Sequence, residues 1–192
     1  SNPTQRGIIA MGVPDDDELI AAELVSAQET VLIGTHDGVS IRFAHSDVRE
    51  MGRQAYGVIG IRLEEGDYVV SMIASSNEND MILSVTEGGF GKRTAVEEYR
   101  TQGRGGKGVI NVKTTEKNGK VVSIMRVQED SDVLVMTAFG KLIRVRSQDI
   151  RAVGRATQGV RLINLDDDDK VTAATLVEPE GKGEDEVPPT VH

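Results

Sequence analysis

Gln102-Gly103-Arg104-Gly105-Gly106-Lys107-Gly108 is one tooth of a repeat, because its framework of Gly, Arg and Gly returns at a fixed distance on either side. Gly52-Arg53 with Gly57-Val58, Gly103-Arg104 with Gly108-Val109, and Gly154-Arg155 with Gly159-Val160 follow one another at 51 residues, with no insertion. The same step links Arg42, Arg93 and Arg144, and again Arg49, Arg100 and Arg151. Nine of the fourteen arginines therefore fall into three columns, as residues doing one job in successive units would.

Outward from that loop, each unit reads as four short strands. In the first, 31–35 and 39–43 flank a His36-Asp37-Gly38 turn, and 58–63 and 68–74 follow the Gly-Arg loop. Alternation in 39–43 puts Val39, Ile41 and Phe43 on one face and leaves Arg42 on the other. Ser46 to Glu50 reads as a single helical turn capped by Ser46. The second unit has strands at 81–86, 90–95, 108–113 and 120–127, with Asn118-Gly119 as a hairpin signal. The third has 133–137, 141–145, 159–165 and 171–177. Ahead of them, 7–11 and 19–25 read as two strands around a Pro14 to Asp17 turn, the back half of a unit.

Four short strands at a period near fifty predict an all-β, propeller-like disc in which each blade buries its faces on its neighbours. About three and a half blades are expected: a half blade at 7–28 and full repeats at 29–80, 81–132 and 133–177. Gly7 opens without the first half of its repeat, which points to a piece of a longer protein with exposed strand edges. Beyond Val177 the periodicity stops, and 178–192 reads as an acidic disordered tail.

Composition narrows the chemistry. The 192 residues include no Cys and no Trp and only 3% aromatics, which removes thiolate metal sites, disulfides and cysteine nucleophiles. No long apolar run or leader appears, so a cytoplasmic protein away from the membrane is expected. A formal charge of −9 argues against an anionic ligand, but its distribution argues for one. Residues 31–160 hold 18 Lys+Arg against 16 Asp+Glu, while the acid concentrates in turns and in the tail.

The glycines of the Gly-Arg loops are explained by a tight turn alone, but the arginines are not. Arg53, Arg104 and Arg155 should stand on an exposed loop, and the columns of Arg42, Arg93, Arg144 and of Arg49, Arg100, Arg151 accompany them. Lys92, Lys107, Lys141 and Arg146 lie in the same segments, and the whole set is the candidate phosphate-contacting surface. An acidic column of Asp47, Glu98 and Asp149 runs two residues ahead of Arg49, Arg100 and Arg151, so ion pairing is the competing account of that column. Such surface pairs contribute only about 0–1 kcal/mol. The glycine-rich run fails as a nucleotide loop, because Lys107 is followed by Gly108 rather than Ser or Thr. His36, His45 and His192 show no ligand spacing, Asp166 to Asp169 reads as a hairpin tip, and Tyr56, Tyr68 and Tyr99 lack an acid/base set. No active site, metal site or cofactor site is read from this chain.

Gln102 to Gly108 resembles the Gln-Arg-Arg-Gly-Gly-Lys-Gly box in the C-terminal domain of the DNA gyrase A subunit, with Gly103 in place of the first Arg. The resemblance runs from about Gly7 to Val177, through 89–99 and 153–160. It implies a β-pinwheel with strands exchanged between blades that binds double-stranded DNA through phosphates and wraps it on a basic rim. It further implies membership of a type II topoisomerase together with the rest of the gyrase A subunit and the gyrase B subunit, whose ATP, magnesium and catalytic residues lie elsewhere. The family's box belongs to its first blade, whereas Gln102 to Gly108 sits in the last unit but one, so it matches the degenerate copies of later blades. The related domain of topoisomerase IV is the nearest rival. A protein-interaction scaffold would need apolar loop tips and a channel enzyme converging carboxylates or histidines, and neither pattern is present.

Overall fold

The computed structural model describes residues 7–177, so the expected tail at 178–192 lies outside the described residues. The described residues form eleven strands: β1 (Thr30–Thr35), β2 (Val39–Ala44), β3 (Val69–Ser75), β4 (Met81–Thr86), β5 (Phe90–Ala95), β6 (Val109–Ile110), β7 (Val121–Val127), β8 (Asp132–Thr137), β9 (Leu142–Arg146), β10 (Val160–Arg161) and β11 (Val171–Val177). They build three antiparallel sheets in the orders β3-β1-β2-β6, β7-β4-β5-β10 and β11-β8-β9. The fourth strand of the first sheet is thus supplied by the second unit, and that of the second sheet by the third.

These donated strands are two residues long. Val39 faces Ile110 and Ser40 faces Val109 across β2 and β6, and Phe90 faces Arg161 and Gly91 faces Val160 across β5 and β10. The expected strands 108–113 and 159–165 are therefore much shorter than their apolar patterns. The physical reason is visible just beyond β6, where Asn111 and Val112 both turn their amides onto the carbonyl of Gly38 and Lys113 donates to Thr157. The expected strands 7–11, 19–25 and 58–63 do not form. No sheet stands ahead of them among the described residues, and Leu24 is 97% exposed.

Packing is face to face. One core cluster joins Leu32 and Ile73 of the first sheet to Ile82, Val121 and Ile124 of the second. Another joins Leu83, Val85 and Val127 of the second to Val133, Val135 and Val171 of the third. Burying each such side chain contributes roughly 1.5–3 kcal/mol, so every blade depends on its neighbours. Because β2 is an interior strand of a stacked sheet, Ser40, Ile41, Arg42 and Phe43 are all buried. The face expected to carry Arg42 is covered by the next unit, which corrects its expected place on the phosphate-contacting surface. The expected turn after β2 is a 3-10 turn at His45–Asp47 capped by Ala44, without a side-chain cap from Ser46. The same turn recurs at Val96–Glu98 and Ser147–Asp149.

Candidate nucleic-acid interface

The three arginine columns have three different environments. In the first, Arg42 is 5% exposed and its Nη1 donates to the carbonyls of Val96 and Tyr99 at 3.2 and 3.3 Å, while Glu78 takes both its terminal nitrogens. The guanidinium holds the Glu78 carboxyl below the usual carboxylate range. Arg93, also buried, sends Nε to the carbonyl of Ile150 at 2.7 Å. Each therefore reaches forward into the next unit. Arg144 meets no following unit among the described residues and instead grips Asp132 across its own sheet.

The second column reaches backward. Arg104 Nε donates to the carbonyl of Asp47 at 3.0 Å and its Nη1 to that of Ile59. Arg155 repeats the arrangement on Glu98 at 2.7 Å and Ile110 at 2.8 Å. These are hooks that close one blade onto the last turn of the preceding one. Among the described residues Arg53 makes no such bond, and it stands exposed beside Gln54, Ile8 and Ile9 at an open surface cleft.

Only the third column is free. Arg49, Arg100 and Arg151 are exposed, and among the described residues none of their side chains enters a hydrogen bond or ion pair. The competing account, pairing with Asp47, Glu98 and Asp149, is not what the geometry shows. The backbone carbonyls of Asp47 and Glu98 instead receive the hooks of Arg104 and Arg155. Each hook thus pins the short turn from which Arg49 or Arg100 projects two residues later. An exposed, unpaired guanidinium on a held backbone suits a phosphate oxygen, since no ion pair has to be broken when it binds.

The remaining candidates divide the same way. Lys92 is 1% exposed and enclosed, its Nζ donating to Thr94 and to the carbonyl of Gly154. Phosphate reaches Arg42, Lys92 or Arg93 only if a blade junction opens, so burial removes these three from the surface set. Lys107 pairs with Glu64 at 3.1 Å, Lys141 pairs with Asp166, and Arg146 is exposed and unpaired among the described residues. Arg62 and Lys113 are among the exposed basic residues that escaped the sequence reading. They also stand 51 apart beside the arginine loops, but their third copy is Asn164, which broke the column. Their amides hold the adjoining loops, Arg62 on Gly106 and Lys113 on Thr157, each at 2.9 Å.

No group of His, Asp or Glu among the described residues could hold a metal ion. Asp166 is engaged by Lys141, and Asp169 accepts the amides of Phe139 and Lys170; the aspartate run is a turn leading from β10 to β11, which lie in different sheets, and not the hairpin tip expected. No helix among the described residues is long and apolar enough to cross a membrane.

A family model described as DNA gyrase C-terminal domain, beta-propeller, matches residues 3–26, 29–76, 80–128 and 131–178. The A subunit of DNA gyrase from Staphylococcus aureus strain MRSA252 is 46% identical over 187 residues, covering 97% of this chain and 21% of that protein. The chain spans about a fifth of the length of the curated relatives it matches. Among solved structures, a DNA gyrase A C-terminal domain superposes with a TM-score of 0.79 at 29% identity, covering 90% of this chain and 58% of that one. The C-terminal domain of a DNA topoisomerase IV superposes with a TM-score of 0.82 at 24% identity, over 88% of this chain and 53% of that one, a likeness of fold alone.

Proposed function

Since this chain belongs to the DNA gyrase C-terminal domain family of β-propellers, we propose that it is a non-catalytic module that binds duplex DNA by its phosphates and bends it along the rim of the disc. The observation that carries this reading is the column of Arg49, Arg100 and Arg151, one free guanidinium at the same place on each unit. Smooth bending of a 20–30 bp site by 40–90° costs roughly 1–6 kcal/mol, so contacts must recur along the arc to offset it. A 51-residue repeat supplies contacts in that manner. Arg53, Arg62, Lys113 and Arg146 extend the same exposed basic surface, and Lys107, Lys141 and Arg144 join it where phosphate displaces Glu64, Asp166 and Asp132.

In the whole enzyme, this module would bias strand passage by a type II topoisomerase towards negative supercoiling. Its partners would be the remainder of the gyrase A subunit and the gyrase B subunit in the cytoplasm, with ATP and magnesium used outside this chain. Phosphate contacts make binding tolerant of sequence and steep in salt. Titration of this chain with linear duplexes of increasing length at two salt concentrations tests the reading. Affinity should rise with length until the arc is spanned, and should fall as salt rises. Affinity independent of both length and salt would overturn it.

A further inference from the structure

The middle unit differs from its neighbours at five core positions, and the five differences touch. Ser84, Lys92, Thr94, Tyr99 and Asn111 occupy places that are Ile33, Ile41, Phe43, Val48 and Gly60 in the first unit. In the third unit the same places are Val135, Ile143, Val145, Ile150 and Leu162. The fold therefore accepts nonpolar residues at every one of them. All five polar residues are buried, none more than 1% exposed.

They form two hydrogen-bonded groups, Ser84-Asn111-Tyr99 and Lys92-Thr94, that meet where Thr94 stands beside the Tyr99 phenol. Asn111 Nδ2 donates to Ser84 Oγ at 2.9 Å, and the Tyr99 hydroxyl donates to Asn111 Oδ1 at 2.6 Å. Thr94 lies in hydrogen-bonding reach of the Tyr99 phenol. Lys92 Nζ donates to Thr94 Oγ1 at 2.9 Å. The second group grips the loop of the third unit, Lys92 Nζ on the carbonyl of Gly154 at 3.1 Å and Thr94 Oγ1 on that of Val153 at 2.9 Å. Between these two side chains, Arg93 takes the carbonyl of Ile150, and its backbone exchanges bonds with Arg151 and Val153. The equivalent loop of the second unit, resting on β2, receives the side chain of Arg42 alone among the described residues of that strand.

We propose that this buried polar cluster, ending in Lys92 and Thr94, positions the segment from Ile150 to Arg155 and so fixes the pose of Arg151 towards the DNA backbone. The inference rests on the phosphate-binding reading of Arg151. Burying a cation is costly without partners, and here burial, with the charge of Arg155 nearby, pushes the Lys92 ammonium down to about 8 against the opposing pull of Glu98. A charge kept at a place where Ile41 and Ile143 serve the packing is accounted for by what its Nζ holds. The loop of the third unit has fewer fastenings from a following unit than the others among the described residues. Its Ser147–Asp149 turn receives no hook from a following unit among the described residues, unlike the turns pinned by Arg104 and Arg155.

The test compares the 192-residue chain with Lys92→Met, and with Thr94→Val as a second variant in case the first does not fold. Hydrogen exchange is read over 150–155, and DNA affinity is read with and without Arg151→Gln or Arg49→Gln. Networked residues couple strongly enough for an effect of about threefold or more. Lys92→Met should raise exchange in 150–155 while the strands stay protected, and should weaken duplex binding by about that factor. The weakening should disappear in the Arg151→Gln background and persist in the Arg49→Gln background. Unchanged exchange over 150–155 overturns the proposal, and so does a loss of affinity that simply adds to that of Arg151→Gln. If Arg151→Gln alone leaves binding intact, the phosphate reading of Arg151 fails, and the exchange data alone decide whether the cluster positions the loop.

Discussion

Arg155 reaches back 57 residues to the carbonyl of Glu98, its Nε donating at 2.7 Å, and that bond separates structure from function in the repeat. Arg104 makes the same reach, also 57 residues, to Asp47. Arg104 and Arg155 on their glycine-rich loops are thus fasteners between blades, and the guanidinium two residues beyond each acceptor is left unpaired among the described residues.

The fastening role makes the column of Arg53, Arg104 and Arg155 unequal. Arg104→Met and Arg155→Met each remove two charge-assisted bonds to backbone carbonyls and should destabilise the chain by about 1–3 kcal/mol. Arg53→Met, at a side chain that fastens no neighbouring blade, should stay within about 0.5 kcal/mol of the parent. Urea denaturation followed by circular dichroism measures all three. Equal losses across the column would contradict the hook assignment.

The free column carries the opposite expectation. Replacing Arg49, Arg100 and Arg151 together with Gln should leave stability unchanged and weaken duplex binding. The slope of log K against log salt should become shallower by about 0.9 for each phosphate no longer neutralised, so up to about 2.7. Fluorescence anisotropy across a salt series reads both quantities. Retention of the parental slope would remove these arginines from the interface.

Which column is which could not be read from spacing. A strict repeat places corresponding residues in corresponding environments, but it is silent on whether that environment is solvent or the next blade. Arg93, Arg100 and Arg104 are equally periodic and equally polar, and only the stacking of units separates the buried, the free and the hooked. The disc of short strands was legible, because alternation and turns are local, and β4, β5 and β11 lie at their expected bounds. The two-residue strands β6 and β10 were not, since their pairing ends where nonlocal bonds to Gly38 and Gly89 take over. Lys92 looked like a surface cation because its three neighbours in Gly91-Lys92-Arg93-Thr94 gave no sign of the Gly154 carbonyl 62 residues away.

The glycines that end the loops separate a conformational cost from a steric one. Gly57, Gly108 and Gly159 all have positive φ, at 83°, 74° and 78°. A Cβ on Gly57 meets nothing within 4 Å, whereas one on Gly108 comes within 2.4 Å of the Ser40 carbonyl oxygen. Gly57→Ala should therefore cost about 1 kcal/mol, the left-handed backbone alone. Gly108→Ala must also push β6 away from β2 and should cost clearly more, with exchange rising at Val109 and Ile110. Equal melting temperatures for the two variants would refute the difference.

Stability should also respond to pH through Lys92. Burial is the main reason its ammonium is pushed down from 10.5 to about 8, with Arg155 adding to the shift and Glu98 opposing it. The folded value lies below the unfolded one, so between about 8 and 10.5 the unfolded chain holds a proton that the folded chain has released. The penalty of burying the charge is therefore present in full below pH 8 and is relieved as pH rises through this window. Its full size is on the order of 3 kcal/mol. Tyr99 acts in the opposite sense, because burial pushes its phenol above the ordinary 10.0. The stability it contributes is present below that value and is lost above it, which leaves pH 8 to 10 as the window for Lys92. Urea midpoints of the parent and of Lys92→Met at about pH 7, 8, 9 and 10 isolate the effect. Across that window the parent should gain on the order of 2 kcal/mol relative to the variant. Parallel pH profiles would mean that Lys92 is not a buried cation at neutral pH.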